Sequence, residues 1–209
     1  MLILKVHPQN PQKRAIKKAV EVLTQGGIIV YPTDTSYGLG CDLHNKRAIE
    51  KVYQIKQMDR KKPLSFMCND FKELSQYAHV NNTAYRMMKR MFPGPYTFIL
   101  PATNLVPRML TTRQKTVGIR IPDNFVCQAL VNELRHPIIT TSIELEKGQV
   151  INDPEEIQVK LKNKIDLLLD SGAMLSEMSS IVDFTEDQPK IIRRGKGDLS
   201  MFEAANPNP

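Results

Sequence analysis

The hydrophobic and polar positions of this chain follow two periods, one typical of helices and one typical of short buried strands. Between Asn10 and Gly27, apolar residues recur every three or four positions, which predicts a helix with Asn10 as its N-cap and Pro11 at its first position. The four apolar residues at 28–31 that follow predict a buried strand. The same criteria predict further helices near 48–55, from Asp70, from Asn81 or Asn82, at 123–134 and from Asp153, and further strands at 64–68, 96–100, 116–121, 138–141, 167–169, 181–184 and 190–193.

The order of these elements predicts an α/β fold. Several strands follow one another without an intervening helix, so we expect a mixed sheet and not a purely parallel one. No internal repeat, low-complexity segment or long linker divides the chain. We therefore expect one domain over residues 1–203 and a frayed tail over 204–209.

The segment that follows the strand at 28–31 is the most informative part of the sequence. It is rich in hydroxyl groups, contains Asp34, and ends with Gly38 and Gly40, where the backbone can approach another group closely. Ligands of open α/β sheets bind beyond the carboxyl ends of strands, so this segment predicts a small-molecule pocket. The alternative is an ordinary strand-to-loop exit with Asp34 as a cap, because turns favour the same residue types.

The chain is basic, with a net charge of +7 and a pI of about 9.3. A solvated surface is one explanation of this excess, and an anionic partner, RNA or nucleotide phosphate, is the other. The basic residues are dispersed over several segments, among them 60–62 and 190–196. This dispersion favours a concave charged surface built from loops over a single recognition helix.

Cysteine usage and hydropathy indicate a cytoplasmic protein. The three cysteines are odd in number, widely separated and surrounded by apolar residues, which favours buried free thiols over disulfides or a paired-cysteine zinc site. No run approaches the roughly 20 apolar residues of a membrane span. The apolar start at 1–4 is too short for a signal peptide.

The candidate chemistry consists of hydroxyls and cations. There is no Ser-His-Asp order, no cluster with metal-ligand spacing and no Walker-type glycine loop. Hydroxyls and cations suit a carboxylate and a polyphosphate, because arginine binds planar oxyanions bidentately and lysine neutralises phosphate. Such a site catalyses by positioning and charge stabilisation. The candidates are Thr33, Thr35, Thr97, Ser142, Ser180, Lys56, Arg120 and Arg193.

A set of short motifs, in order along nearly the whole chain, resembles the YrdC/YciO family, which includes threonylcarbamoyl-AMP synthases. Each motif alone is weak, and their shared order and spacing are specific. The motifs are 31–40, Lys56 with Pro63 and Leu64, Pro-Gly-Pro-Tyr-Thr-Phe-Ile-Leu at 93–100, Gly-Ile-Arg-Ile-Pro at 118–122, Thr-Ser at 141–142, Ser-Ser-Ile-Val-Asp at 179–183 and Ile-Arg-Arg-Gly at 192–195.

The resemblance implies a twisted open mixed sheet with flanking helices and a large positively charged cavity. It implies condensation of L-threonine, bicarbonate and ATP into threonylcarbamoyl-AMP, for modification of adenosine in tRNA. Thr35, Arg120 and Ser180 would then face L-threonine, with Arg120 on its carboxylate unless Arg120 pairs with a local aspartate such as Asp123. Mg²⁺ would bridge the phosphates of ATP, and the family has been linked to double-stranded RNA binding. The residues implied to face ATP are Lys56, Thr97, Ser142 and Arg193.

Two departures from the family pattern concern the nucleotide side. Met58 stands where the family enzymes have arginine, and Glu144 stands where they have asparagine, which resembles the YciO branch. Arg60, two residues beyond Met58, shares its face in an extended segment and could partly substitute.

Three functions remain open at this point. They are a threonylcarbamoyl-AMP synthase-type enzyme, an RNA- or tRNA-binding protein without that turnover, and a nucleotidyl-transfer enzyme acting on another acid. The sequence does not indicate the oligomeric state.

Overall fold

The structure is a computed structural model that describes residues 1–59, 63–112, 114–144, 150–175, 177–186 and 188–205. Its helices are α1 Lys13–Thr24, α2 Lys46–Ile55, α3 Phe71–Tyr77, α4 Asn82–Met91, α5 Phe125–Leu134, α6 Pro154–Lys160 and α7 Ser200–Ala205. Its strands are β1 Leu2–Lys5, β2 Ile29–Tyr31, β3 Gly38–Asp42, β4 Ser65–Met67, β5 Tyr96–Pro101, β6 Thr116–Arg120, β7 Ile138–Ser142, β8 Leu167–Asp170, β9 Ser180–Asp183 and β10 Lys190–Arg193.

The ten strands form one mixed sheet in the order β1-β8-β2-β3-β7-β4-β6-β5-β9-β10. Four neighbouring pairs are parallel and five are antiparallel, which confirms the mixed sheet. The first strand of the chain lies at one edge, where Leu2 pairs with Leu167 of β8. The middle of the sheet holds β3, β7, β4, β6 and β5, and the candidate site lies there.

The inner strands of the sheet are buried on both faces, whereas the edge strands β1 and β10 are partly exposed. Within β2, Val30 belongs to the larger hydrophobic cluster, whereas Ile29 and Tyr31 belong to the smaller one, as the period of two of a strand requires. The smaller cluster lies between the sheet and two helices, α1 and α5. Continuous apolar runs such as 28–31 are therefore needed to cover both faces.

Three of the seven described helices begin where a capping side chain was predicted. Asp70, Asn81 and Asp153 each accept a hydrogen bond from a backbone N–H in the first turn of their helix, which confirms those starts. The predicted start of α1 is wrong. That helix begins at Lys13 without a side-chain cap, because His7 Nδ1 accepts the N–H of Asn10 and holds this residue in the preceding turn.

Three described elements were not predicted: β1, β3 and α7. In β3 the two glycines permit a close approach, since a Cβ on Gly40 would lie 2.8 Å from Cε1 of Tyr31 and 3.0 Å from the carbonyl oxygen of Ile139. The close approach expected at this glycine is therefore an approach to the neighbouring strands. Within the predicted tail, α7 extends to Ala205, and positions 206–209 lie outside the described residues.

All three cysteines are buried free thiols, as predicted. Burial raises the pKa of the Cys41, Cys68 and Cys127 thiols above the ordinary value. None of the helices in the described ranges is long and apolar enough to cross a membrane.

Candidate functional site

A cavity of about 180 Å³ lies at the ends of the central strands and brings six of the predicted site residues together. The loop after β2 supplies one wall, and the ends of β6, β7 and β10 supply the others. Segments distant in the chain meet here because the sheet order places non-consecutive strands, such as β3 with β7 and β7 with β4, side by side. The six residues are Thr35, Lys56, Thr97, Arg120, Ser142 and Arg193.

Arg120, the last residue of β6, makes the most constrained contacts of the cavity. Its Nη2 donates to Asp34 Oδ1 at 2.8 Å and to Thr35 Oγ1 at 3.0 Å. The two charged side chains are nearly buried, with exposed fractions of 11% for Arg120 and 8% for Asp34. Arg120 Nε is buried and has no hydrogen-bond partner within the described ranges. One donor of this guanidinium is thus unpaired beside the cavity, and a ligand would contact it only after a shift of the side chain.

Thr33 shapes the loop that presents Thr35. Its hydroxyl donates to the carbonyl of Ser36 at 2.6 Å and accepts the backbone N–H of Thr35 at 3.1 Å. The Thr35 hydroxyl lies 3.1 Å from that of Thr33, so a chain of hydrogen bonds runs from Arg120 through both threonines. Thr33 is buried and is not among the residues that line the cavity.

Lys56 links the end of α2 to the end of β7. Its Nζ donates to the carbonyl oxygens of Ser142 at 3.0 Å and Glu144 at 3.3 Å, and lies 3.7 Å from the Glu144 carboxylate. Its side chain is 7% exposed. Met58 and Glu144, the two departures from the family pattern, both line the cavity beside it. Arg60, the expected substitute for an arginine at position 58, lies outside the described residues.

Thr97 and Arg193 both contact Ser179, which was not among the predicted site residues. The Ser179 hydroxyl lies 2.9 Å from Thr97 Oγ1 and accepts from Arg193 Nη2 at 3.0 Å. Arg193 Nε donates to the Ser179 carbonyl at 2.9 Å. Burial lowers the pKa of Arg193, and the positive charge of Arg120 lowers it further. The motif at 179–183 already contained Ser179. The alternation of side chains along β9 could have shown that Ser179, and not Ser180, faces Thr97.

Ser180 points away from this group. It is fully buried, and its hydroxyl donates to the Gly197 carbonyl at 2.7 Å and accepts from the Gly195 N–H at 3.1 Å. It is not among the residues that line the cavity. Its contacts are those of a residue that holds the segment after β10 against β9, and its implied contact with L-threonine stays a prediction.

A second cavity, of about 960 Å³, adjoins the first along the sheet. Pro63, Ser65, Thr97 and Ile181 line both cavities. The larger one also contacts Asp59, Arg108 and Asp183. The candidate site therefore has a small polar compartment and a larger one, with Thr97 at their boundary.

The charges of the small compartment fit an anion better than a resident metal ion. Two arginines and a lysine line it, and Glu144 is the carboxylate among its lining residues. In the part of the chain that the structure describes, no group of three or more His, Cys, Asp or Glu side chains could hold a metal. This donor set suits Mg²⁺ that arrives on nucleotide phosphates, since Mg²⁺ keeps several waters and uses few protein ligands.

Comparison with protein families places this geometry in a known context. The model of the Sua5/YciO/YrdC domain, described as telomere recombination, matches residues 21–195. A protein of Haemophilus influenzae is 44% identical over 94% of this chain and 97% of its own length, and YciO of Escherichia coli is 42% identical over the same shares. Both of these relatives are described as uncharacterized. The threonylcarbamoyl-AMP synthase of Vibrio vulnificus is 32% identical over 74% of this chain and 84% of its own.

Two solved structures share the fold and most of the chain. E. coli YciO superposes with a TM-score of 0.92 at 41% identity, covering 97% of this chain and all of that one. P. abyssi Sua5, crystallised in complex with L-threonine, superposes with a TM-score of 0.91 at 25% identity, covering 99% of this chain and 61% of that one.

Proposed function

Since the chain belongs to the Sua5/YciO/YrdC family, we propose that its two-compartment cavity binds L-threonine and ATP and carries out a reaction of the threonylcarbamoyl-AMP synthase type. In this reaction L-threonine, bicarbonate and ATP give threonylcarbamoyl-AMP and pyrophosphate, an intermediate for tRNA modification. The naming of a family relative as threonylcarbamoyl-AMP synthase and the structure of Sua5 with L-threonine support the proposal.

The observation that carries the proposal is the buried Nε of Arg120. A buried donor without a partner costs about 1–3 kcal/mol, and a ligand oxygen that meets Nε after a shift of the guanidinium would remove that cost. Thr35 Oγ1 lies 3.0 Å from Nη2 of the same guanidinium, so a hydroxyl stands beside the unpaired donor. A carboxylate that also carries a hydroxyl matches this pair, and L-threonine has both groups.

The sizes of the two compartments suit two substrates of different size. The volume of 180 Å³ is below the 300–1,000 Å³ of typical drug-sized sites, whereas 960 Å³ is within that range. The small compartment would hold the amino acid, and the nucleoside of ATP would extend into the larger one. Thr97 at the boundary would contact the phosphate region, as the resemblance implies for this residue.

The residues proposed to contact ATP would orient its phosphates and neutralise their charge. Lys56 and Arg193 line the small compartment, where the phosphates would meet the carboxylate end of the acid. Both cations would offset the charge that develops on the departing pyrophosphate. Mg²⁺ bound to ATP would neutralise further phosphate charge. Lys56 is held by two carbonyl oxygens and Arg193 by Ser179, so neither needs to reorganise when the substrates bind.

Met58 and Glu144 would weaken the binding of ATP without abolishing it. Glu144 places a carboxylate 3.7 Å from Lys56 Nζ, where it competes with phosphate for that cation. We therefore expect a higher ATP requirement than in relatives with arginine and asparagine at these positions.

Release of pyrophosphate tests the proposal. The purified chain should release pyrophosphate only when ATP, bicarbonate and L-threonine are all present, and Arg120→Gln should reduce this release by at least tenfold. Arg194→Gln is the matched control, because Arg194 is exposed and pairs with Glu203 outside the cavity. Pyrophosphate release with another carboxylic acid in place of L-threonine would show that L-threonine is not the substrate. No pyrophosphate release with any acid would contradict the proposed enzyme function.

A further inference from the structure

The groove between β1 and α1 lies at the edge of the sheet, away from the central strands that hold the candidate site. Its volume is about 860 Å³, and Leu2, Leu4 and Ala15 provide its apolar surface. Leu2 and its neighbour Ile3 are exposed by 42% and 37%, unusual values for large apolar side chains in a strand. Apolar side chains are therefore exposed at this edge of the sheet.

The backbone of β1 offers hydrogen bonds on its outer side. Leu2 and Val6 donate their N–H groups to the carbonyls of Asp166 and Asp170, so alternate residues face β8. Because strand backbone groups alternate in direction, Ile3 and Lys5 direct their N–H and C=O groups outward. Among the described strands, β8 is the neighbour on the inner side and β1 ends the sheet order. Such an edge can accept an additional strand.

The charges around the groove are almost all positive. Lys5, Lys13, Arg14, Lys17 and Lys18 line it, and Glu21 is the acidic residue among them. Lys5 pairs with Asp170 and Lys18 with Glu21. Lys13, Arg14 and Lys17 have no carboxylate partner in the part of the chain that the structure describes. Three uncompensated cations thus stand beside an open strand edge.

From these features we infer that this edge is a docking site for an extended acidic segment of a partner protein, which adds a strand beside β1. The partner's carboxylates would lie on the groove side and contact Lys13, Arg14 and Lys17. Its intervening apolar residues would cover Ile3 on the opposite face of the sheet, as alternation along a strand requires. A second copy of this chain fits less well, because two copies of the same basic groove would repel each other.

Nucleic acid also carries negative charge, but it would not contact the apolar side chains and strand backbone that distinguish this groove. The exposed leucine and isoleucine side chains and the outward backbone N–H groups match a polypeptide strand, whereas a phosphate backbone needs only the cations. We therefore expect duplex RNA to be the weaker ligand of this edge at physiological salt.

The test uses a capped synthetic peptide of alternating glutamate and valine as the probe. Amide hydrogen exchange by NMR should show new protection of Ile3 and Lys5 N–H groups when the peptide binds, because the added strand covers them. Lys13→Glu combined with Lys17→Glu should weaken binding by about five- to tenfold, since two attractive contacts become repulsive. The matched control is Lys46→Glu with Lys72→Glu, which changes the net charge equally at exposed positions outside the groove.

Two further peptides separate strand addition from simple charge attraction. A version with glutamine in place of glutamate should bind more weakly, and a version methylated on alternate backbone nitrogens should lose both binding and the protection of Ile3 and Lys5. Binding that survives methylation, or that leaves these amides unprotected, would overturn the inference. Absence of acidic-peptide binding, preference for duplex RNA, or a dimer formed through β1 in a mass measurement would overturn it as well.

Discussion

Arg120 Nη2 and Asp34 Oδ1 are 2.8 Å apart and join the end of β6 to the loop after β2 across 86 positions of sequence. Asp34 Oδ2 in turn accepts the backbone N–H of Asp123 at 3.1 Å, and the Asp34 carbonyl accepts from Lys196 Nζ at 2.9 Å. Asp34 therefore connects the loop after β2 to the end of β6 and to the segment after β10.

Asp34→Asn should lower the free energy of unfolding by about 3 kcal/mol, because it leaves the buried charge of Arg120 without its counter-ion. Urea denaturation measures this change. Asp123→Asn is the control with the same change in charge, since the exposed Asp123 contacts Asp34 through its backbone N–H, and its effect should stay within about 0.5 kcal/mol. Equal stabilities of the two variants would contradict the structural importance of the ion pair.

Arg120→Lys should raise the dissociation constant for L-threonine by roughly ten- to a hundredfold, because lysine cannot reproduce the paired donors of the guanidinium. Titration calorimetry measures the affinity, and a melting curve shows how much stability the variant has lost. Arg194→Lys, on an exposed neighbour of Arg193, should leave the affinity unchanged. Unchanged binding in Arg120→Lys would remove Arg120 from the threonine site.

Met58→Arg with Glu144→Asn should tighten ATP binding by at least about tenfold, since one change adds a cation and the other removes a carboxylate near Lys56. Calorimetry on both proteins with MgATP measures the difference, and the Glu144→Gln single variant separates the effect of the charge. Unchanged or weaker binding would indicate that the cavity is adapted to a different ligand.

RNA binding, if the basic segments serve it, should depend strongly on salt. Replacement of Arg60, Lys61 and Lys62 by alanine should make the slope of log affinity against log salt shallower by about two to three units, for duplex RNA and for tRNA alike. These three positions lie outside the described residues, so the prediction rests on the sequence. No detectable tRNA binding at low salt would exclude an RNA function.

The stability of the protein should decline above about pH 8.5, the ordinary range of thiol ionisation. Burial raises the pKa of Cys68 and Cys127, so the thiols stay protonated in the folded chain and ionise in the unfolded one. Their contribution to the free energy of unfolding is complete below the thiol pKa of the unfolded chain, and it is lost as the pH rises above that value. Between pH 7.5 and 9.5 each thiol should remove about 1.4 kcal/mol of unfolding free energy.

Urea denaturation at several pH values measures this decline. A variant with Cys41, Cys68 and Cys127 all changed to alanine is less stable at every pH because of the cavities it creates, but its stability should fall less steeply with pH. Parallel slopes for the two proteins would show that the thiols do not determine the decline.

Local patterns predicted most elements and six of the residues that line the small compartment. Apolar runs identified the buried strands, and Asp70, Asn81 and Asp153 marked helix starts, because these signals depend on neighbouring residues alone. The six predicted residues that line the cavity came from short motifs. The edge strand β1 was missed because its exposed leucine and isoleucine do not alternate with polar residues, and β3 because glycine has little strand preference.

Relationships between distant segments could not be predicted in the same way. Asp123, three residues from Arg120, was the example given for an alternative ion pair of Arg120, but the carboxylate in contact is that of Asp34. Ser179 and Ser180 are adjacent in sequence, and only the direction of β9 decides that Ser179 meets Thr97 while Ser180 contacts Gly197. Both outcomes depend on how strands register across the sheet, which no local pattern contains.

The pairing of Leu2 with Leu167 has a consequence for synthesis of the chain. During synthesis Leu2 cannot meet its partner until the chain has been made as far as Leu167. At about 5–20 residues per second, this delay is on the order of ten seconds. During that time the apolar residues of β1 have no neighbouring strand, so the nascent β1 segment should be a preferred contact for chaperones that bind hydrophobic chain.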